Sequence, residues 1–257
     1  MTNFDVLFLC CDNNAKSRSG LVTLNQAGYS LLVLVYEIPR LRLDPKRPRE
    51  IYTKPRWYRR HWLKNQSASI YCHEHGIPYF IVHETDMQVL LPPLRSMQFD
   101  YVIVNGWPAK LPSGVGALAT KAAMNFHSSY LPEYRGGNIT YAPLINGEKT
   151  SGITAHILTE QLDAGPIIAQ KRFYIESRET VRSLTLKRSV HIGDVLLEAI
   201  RNMEQSVPST ENPPSVFWKR QSYVSYLLYR GLNALRRILG LRILRREAGP
   251  VRLIDKI

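Results

Sequence analysis

Short apolar runs of strand length recur along this chain, separated by polar stretches and by segments with helical spacing. DVLFLCC (5–11) and LLVLVYE (31–37) are two such runs. Between them lie the polar stretch DNNAKSRSG, read as a loop, and LVTLNQAGY, which has helical spacing and a stop at Gly28. Strand, loop, helix, strand is a βαβ unit with a parallel pair. Residues 40–60 are rich in Pro, Arg and aromatics without a period, and read as a long loop. SASIYCHEHG (67–76) predicts a helix closed by Gly76, and IPYFIV (77–82) the next strand. DYVIVNG (100–106) is the clearest buried strand, and AAMNFHS (122–128) is another. SGITAHIL (151–158) and IIAQKRFYI (167–175) predict strands that can pair antiparallel, and residues 180–203 have helical spacing. VPSTENPPS (207–215) is a Pro-rich break. No internal repeat is visible.

The pattern predicts an α/β chain built on an open sheet, in which ligands bind beyond the carboxyl ends of the strands. Asn105-Gly106 and Asn125-His127 stand at two such ends. The 257 residues suffice for a full core, and the division expected is residues 1–206 as the principal domain and 207–257 as a basic C-terminal extension. The N-terminus meets Asp5 before its apolar run and lacks a basic lead-in, so it reads as a first strand and not as a secretion signal. No apolar stretch has the length of a membrane span. Cys10, Cys11 and Cys72 offer neither an even disulfide framework nor metal-ligand spacing, and adjacent Cys10 and Cys11 read as small core residues. A reducing cytoplasm is the expected location.

The net charge of +13 is concentrated in two segments. Residues 38–66 and 215–257 each hold ten Lys/Arg against two Asp/Glu, which leaves the rest of the chain slightly acidic. That distribution favours docking an anionic partner at defined places over general coating of nucleic acid.

The densest chemistry lies in MNFHSSYLPEYRGG (124–137). In an extended segment residues two apart share a face, so Asn125 and His127 present an amide and an imidazole together while Phe126 turns inward. An amide NH2 can donate to a developing oxyanion, and imidazole is the convenient proton acceptor near neutral pH. Pro132 stiffens the following loop, Gly136 and Gly137 allow close backbone approach, and Arg135 offers a planar fork to an anion. Asp163, in the turn QLDAGP, is a carboxylate able to orient His127 or stabilise its charge. Spacing alone does not bring the two together. Asn-x-His is also an ordinary strand end with a capped or solvated histidine, and Asp163 fits a plain Asx turn.

The stretch NFHSSYLPEYRGGNITYAPLINGEKTSGITAHILTEQLDAGPIIAQ (125–170) resembles the folate-dependent N-formyltransferase family. The ordered matches are Asn125, His127, Leu131, Pro132, Arg135, Gly136, Asn146, Gly147, Glu148, Gly152, Thr154, Asp163 and Gly165. Tyr130 replaces a usual Leu and Ser151 a usual Thr. Weaker similarity runs from about Asp5 to about Met203. The resemblance implies a Rossmann-like open, mostly parallel sheet flanked by helices, with a small C-terminal extension. It implies N10-formyltetrahydrofolate as co-substrate, no metal, and Asn125, His127 and Asp163 as catalytic residues. Asn105, Gly106, Trp107, Ser128, Ser129, Tyr130, Leu131 and Leu162 would line the folate site, and Arg135, Gly136 and Gly137 the acceptor site.

Within the family the pattern looks most like the sugar-nucleotide branch. The expected acceptor is a nucleotide-linked amino-dideoxysugar such as GDP-perosamine, used in surface polysaccharide (O-antigen) synthesis. The short segment after 207–215 argues against a methionyl-tRNA formyltransferase, which remains the alternative beside a non-catalytic folate- or nucleotide-binding module. An acceptor pyrophosphate could meet Arg135 and the 38–66 segment, where Trp57, Tyr58 and Trp62 stand among arginines; the same segment also fits a solvated basic surface. In the tail, Leu228, Leu232, Leu235 and Leu239 share one helical face, opposite Arg230 and Arg237. That face packs on the body or a dimer partner, or rests on anionic lipid. The partners expected are therefore the nucleotide sugar, a second copy in a homodimer and a weak membrane-surface contact, with no nucleic acid.

Overall fold

The computed structural model describes residues 3–37, 67–83, 86–137, 139, 142–176, 179–215, 217, 218, 228, 231, 232 and 235. The basic 38–66 segment and most of the 215–257 tail, with the roles expected for them, lie outside these residues. The chain divides into two compact units, residues 1–126 and 127–257.

The first unit contains β1 (Asn3–Cys11), α1 (Ala15–Gln26), β2 (Leu31–Tyr36), α2 (Ala68–Glu74), β3 (Tyr79–Val82), α3 (Asp86–Arg95), β4 (Gln98–Asn105) and β5 (Ala119–His127), the last strand ending one residue into the second unit. The strands run parallel in the order β3-β2-β1-β4-β5. Every residue of β2 is buried, as are six consecutive residues of β1, Val6–Cys11. Helices on both faces of a parallel sheet produce such continuous apolar runs, where a half-exposed sheet would alternate. Cys10, Cys11 and Cys72 are buried free thiols, the first two in the core as the sequence predicts, and burial pushes the Cys11 thiol up to about 12. Chain order reverses about β1, which pairs with β2 on one side and β4 on the other. Ligands of open α/β sheets bind at such a switch point, beyond the strands' carboxyl ends.

Helix α1 begins inside the stretch read from sequence as a loop. The Asn14 side chain accepts from the N–H groups of Lys16 at 3.0 Å and Ser17 at 3.2 Å, which satisfies two orphan donors of the first turn. Asp12, just past β1, fastens α2: its Oδ1 accepts from Ser67 Oγ at 2.9 Å, Ala68 N at 2.9 Å and Ser69 N at 3.2 Å.

The second unit contains β6 (Arg135–Gly136), α4 (Ala142–Ile145), β7 (Thr150–Ile157), β8 (Ile167–Tyr174), α5 (Val181–Glu204) and β9 (Phe217–Trp218). β7 and β8 pair antiparallel, as their sequences predict, and β6 pairs with β9 in parallel. Thr180 and Ser183 form a capping box at the start of α5. The helix buries Leu184, Ile192, Val195, Leu196, Ala199 and Ile200 against β7 and β8. Each larger side chain among them is worth about 1.5–3 kcal/mol when fully buried. Arg188 on the same face is also buried and donates to Ser151 Oγ at 3.0 Å; desolvation lowers its guanidinium to about 9. The expected α/β class with a mostly parallel strand set is observed. No helix of the described residues is long and apolar enough to cross a membrane.

Candidate active site

At the switch point of the first unit, β4 ends in Asn105. Its side chain is fully buried, Nδ2 donates to the Lys16 carbonyl at 3.1 Å, and its own carbonyl accepts from Ser17 Oγ at 2.7 Å. Gly106 follows with φ 84°, and a Cβ there would stand 2.8 Å from Ser17 Oγ and 3.2 Å from Asn14 Nδ2, so only glycine fits this close approach of two loops. The Trp107 ring meets Tyr36 edge-on, with centroids 5.1 Å apart. Two polar atoms here have no hydrogen-bond partner among the described residues: Asn105 Oδ1, an acceptor, and Trp107 Nε1, a donor. Buried polar atoms of that kind need a partner. Lys16 belongs to the same corner, its ammonium donating to the Phe126 carbonyl at 2.7 Å.

Along β5, Ala122, Met124 and Phe126 are buried on one face, while Asn125 and His127 alternate with them. In the second unit His127 and Asp163 do meet. Asp163 Oδ1 lies 3.3 Å from His127 Nδ1, and both side chains are almost fully buried. His127 Nε2 lies 2.8 Å from the Tyr134 carbonyl, so each ring nitrogen faces an oxygen acceptor. Asp163 Oδ2 accepts from Gly136 N at 3.0 Å, and Oδ1 also lies 3.6 Å from His156 Nε2. Burial alone would push this carboxyl up. The charge of His127 and the hydrogen bonds from His127, His156 and the Gly136 N–H outweigh it and hold the group well below the usual carboxylate range.

The surrounding motif residues hold this pair in place. Asp163 has φ 51°, a left-handed conformation that an L-residue keeps only where its surroundings over-determine it. Two residues on, a Cβ at Gly165 would stand 1.9 Å from the Ile157 carbonyl oxygen, so the turn closes against β7 only with glycine. Tyr134 OH donates to Glu148 Oε1 at 2.7 Å and accepts from Asn146 Nδ2 at 3.0 Å. Asn146 and Glu148 of the Asn-Gly-Glu motif thereby fix the residue whose carbonyl faces His127. Thr154 Oγ1 donates to the Ser129 carbonyl at 2.8 Å and accepts from Leu131 N at 2.9 Å, which ties the loop after β5 to β7.

The other expected site residues are placed as follows. Ser129 Oγ donates to the Glu133 carbonyl at 2.7 Å, within its own loop. Arg172 stacks over the Tyr130 ring at 3.9 Å. Leu131 is buried, Ser128 is half-buried and Leu162 is exposed. Gly136 uses its N–H on Asp163, whereas Gly137 is exposed with open space where a Cβ would stand. Arg135 is buried, with Nη2 at 2.8 Å from the Asn212 carbonyl oxygen, 2.6 Å from Asn212 Oδ1 and 2.9 Å from the Pro213 carbonyl oxygen. His156 and Asn212 were not singled out from sequence. His156 shares a strand face with Thr154, two residues earlier, and that alternation was a usable signal; Asn212, in a Pro-rich stretch, carried none.

The first unit carries an α/β switch point, and the second a buried His–Asp pair at a strand end. The chain belongs to the formyl transferase family, whose sequence profile matches residues 53–200. It is 34% identical over 132 residues to the methionyl-tRNA formyltransferase of Thermodesulfovibrio yellowstonii, a match over 51% of this chain and 43% of that protein. The chain thus spans less than half the length of the curated relatives it matches. Its fold is similar to the N-formyltransferase from Helicobacter canadensis in complex with folinic acid and dTDP-3-aminofucose: TM-score 0.62, 18% identity, 85% of this chain and 71% of that one. It is also similar to phosphoribosylglycinamide formyltransferase from Anaplasma phagocytophilum: TM-score 0.58, 20% identity, 78% of this chain and 86% of that one.

Proposed function

We propose that this protein transfers a formyl group from N10-formyltetrahydrofolate to the amino group of a nucleotide-linked amino-dideoxysugar. The observation that carries the reading is the buried His127–Asp163 contact at 3.3 Å, two residues after Asn125 on one strand. Folate chemistry supplies an activated formyl carbon. Asn105 Oδ1 and Trp107 Nε1, without a hydrogen-bond partner among the described residues, fit a heterocycle that carries both donors and acceptors, as a pterin does.

The chain's own groups account for the rest. The Asn125 amide donates toward the oxygen on which charge develops as the amine nitrogen bonds to the formyl carbon. As the formyl carbon–N10 bond breaks and tetrahydrofolate leaves, His127 moves the proton that the amine gives up toward N10, while Asp163 holds the imidazole. Ser129, Tyr130 and Leu131 shape the folate side of the site. Gly136 reaches the reaction only through its N–H on Asp163. The Helicobacter complex with dTDP-3-aminofucose supports a sugar-nucleotide acceptor, of which GDP-perosamine is the candidate taken from the sequence pattern. The identity to methionyl-tRNA formyltransferases favours a second reading, with methionyl-tRNA as acceptor.

The test is formyl transfer by the purified chain from N10-formyltetrahydrofolate to a panel of TDP-, UDP- and GDP-linked amino sugars and to methionyl-tRNA. Tetrahydrofolate release that depends on one amino sugar is expected. Transfer to methionyl-tRNA alone moves the assignment to the second reading, and transfer to neither sinks both.

A further inference from the structure

We propose that Asn212 is a positioning residue for the His127–Asp163 pair, bracing the two loops that deliver Asp163 and Gly136. The inference rests on the reading that this pair moves the reaction's proton. Asn212 lies in the segment after α5 that reads from sequence as a Pro-rich break, and the structure ties that segment back across the site at four places. Thr210 and Ile167 exchange backbone hydrogen bonds, each 2.8 Å. Asn212 bonds to both loops, as set out below. Ser215 Oγ donates to the Pro132 carbonyl. β9 then pairs in parallel with Arg135–Gly136.

Asn212 uses its whole amide in this brace. Its Oδ1 accepts from Arg135 Nη2 at 2.6 Å. Its Nδ2 donates to the carbonyl oxygens of Asp163 at 3.1 Å and Gly165 at 2.9 Å. Arg135 adjoins Gly136, whose N–H meets Asp163 Oδ2 at 3.0 Å. One side chain therefore joins the loop that donates to the carboxylate and the turn that carries it. The Asp163 turn keeps a φ of 51°, and the two Nδ2 bonds fall on carbonyls at and just beyond that residue. They supply part of the over-determination that such a backbone requires. Arg135 thus acts on the site through Asn212.

The substitutions separate the two halves of the brace. Asn212→Asp is isosteric and keeps an acceptor for Arg135, but it sets oxygen against both carbonyls. Asn212→Ser keeps one donor, and Asn212→Ala removes the side-chain amide and leaves Arg135 its bonds to the Asn212 and Pro213 carbonyls. Turnover should fall about ten- to a hundredfold in Asn212→Asp and Asn212→Ala and less in Asn212→Ser, with KM for the formyl donor within about threefold, because a small misplacement costs rate before binding. A second readout needs no turnover: the downfield imidazole proton of His127, assigned by its loss in His127→Asn, should broaden or vanish in folded Asn212→Asp. If that proton is perturbed while even the wild type transfers no formyl group, the brace stands and the formyl-transfer reading falls. Folded Asp and Ala variants with wild-type turnover and an unchanged imidazole proton overturn the brace. Unfolding of all three variants also overturns it, in favour of a purely structural role.

Discussion

Asp163 Oδ1 stands 3.3 Å from His127 Nδ1, and the backbone that delivers the carboxylate is held at φ 51°. The contact joins a strand end to a turn 36 residues later, and both partners are buried, so the carboxylate's charge is met by the imidazole and by the Gly136 N–H.

Replacing Asp163 with Asn keeps the shape and removes the charge. Formyl transfer should fall by about 10²–10⁴-fold, the range for a lost acid–base element. Single-turnover rates at saturating donor would show it, and a loss smaller than threefold would remove Asp163 from the proton path.

The same carboxyl makes stability depend on pH. Its folded pKa is depressed below its unfolded value, so its contribution is fully present above about pH 4 and is lost as pH falls from there toward the folded value. The stability gap between wild type and Asp163→Asn should therefore be widest near neutrality and shrink below about pH 4. Thermal midpoints of both proteins from pH 7 downward test this, and a gap independent of pH would contradict it.

Gly165 and Gly137 should respond unequally to alanine. At Gly165 the new Cβ meets the Ile157 carbonyl, and overpacking of this kind costs about 1–3 kcal/mol. At Gly137 nothing among the described residues stands within 4 Å, and the change should stay within about 0.5 kcal/mol. Denaturant titration of both variants decides, and equal effects would contradict the geometry.

Tyr134→Phe removes a hydroxyl that donates to buried Glu148 at 2.7 Å. A hydrogen bond to a charged group contributes about 1.5–3 kcal/mol, so a loss of that size is expected. Turnover should fall too, since the Tyr134 carbonyl faces His127 Nε2 at 2.8 Å. An equally stable and equally active Phe variant would show that Tyr134 holds neither group.

Trp107→Phe removes a donor that has no partner among the described residues. Stability should change little, while KM for the formyl donor rises several-fold. Unchanged KM would place the heterocycle elsewhere.

Much of this architecture is written locally. Apolar runs such as LLVLVYE need only their own residues to specify buried parallel strands, and Asn-x-His needs only the pleat to present two side chains on one face. The start of α1 was not legible, because Lys16 and Ser17 look solvated in sequence yet spend their polar atoms on the Phe126 and Asn105 carbonyls. Neither was the fate of Arg135, which reads as an anion fork and is directed onto Asn212 and Pro213. The sequence by itself determined which residue types the site has, since periodicity and turn chemistry act over a few residues. Tertiary structure decided which of them touch: His127 with Asp163, Gly136 with Asp163, Asn212 with both loops. Those contacts close long stretches of chain, and their geometry follows from how strands and turns pack and not from any spacing along the sequence.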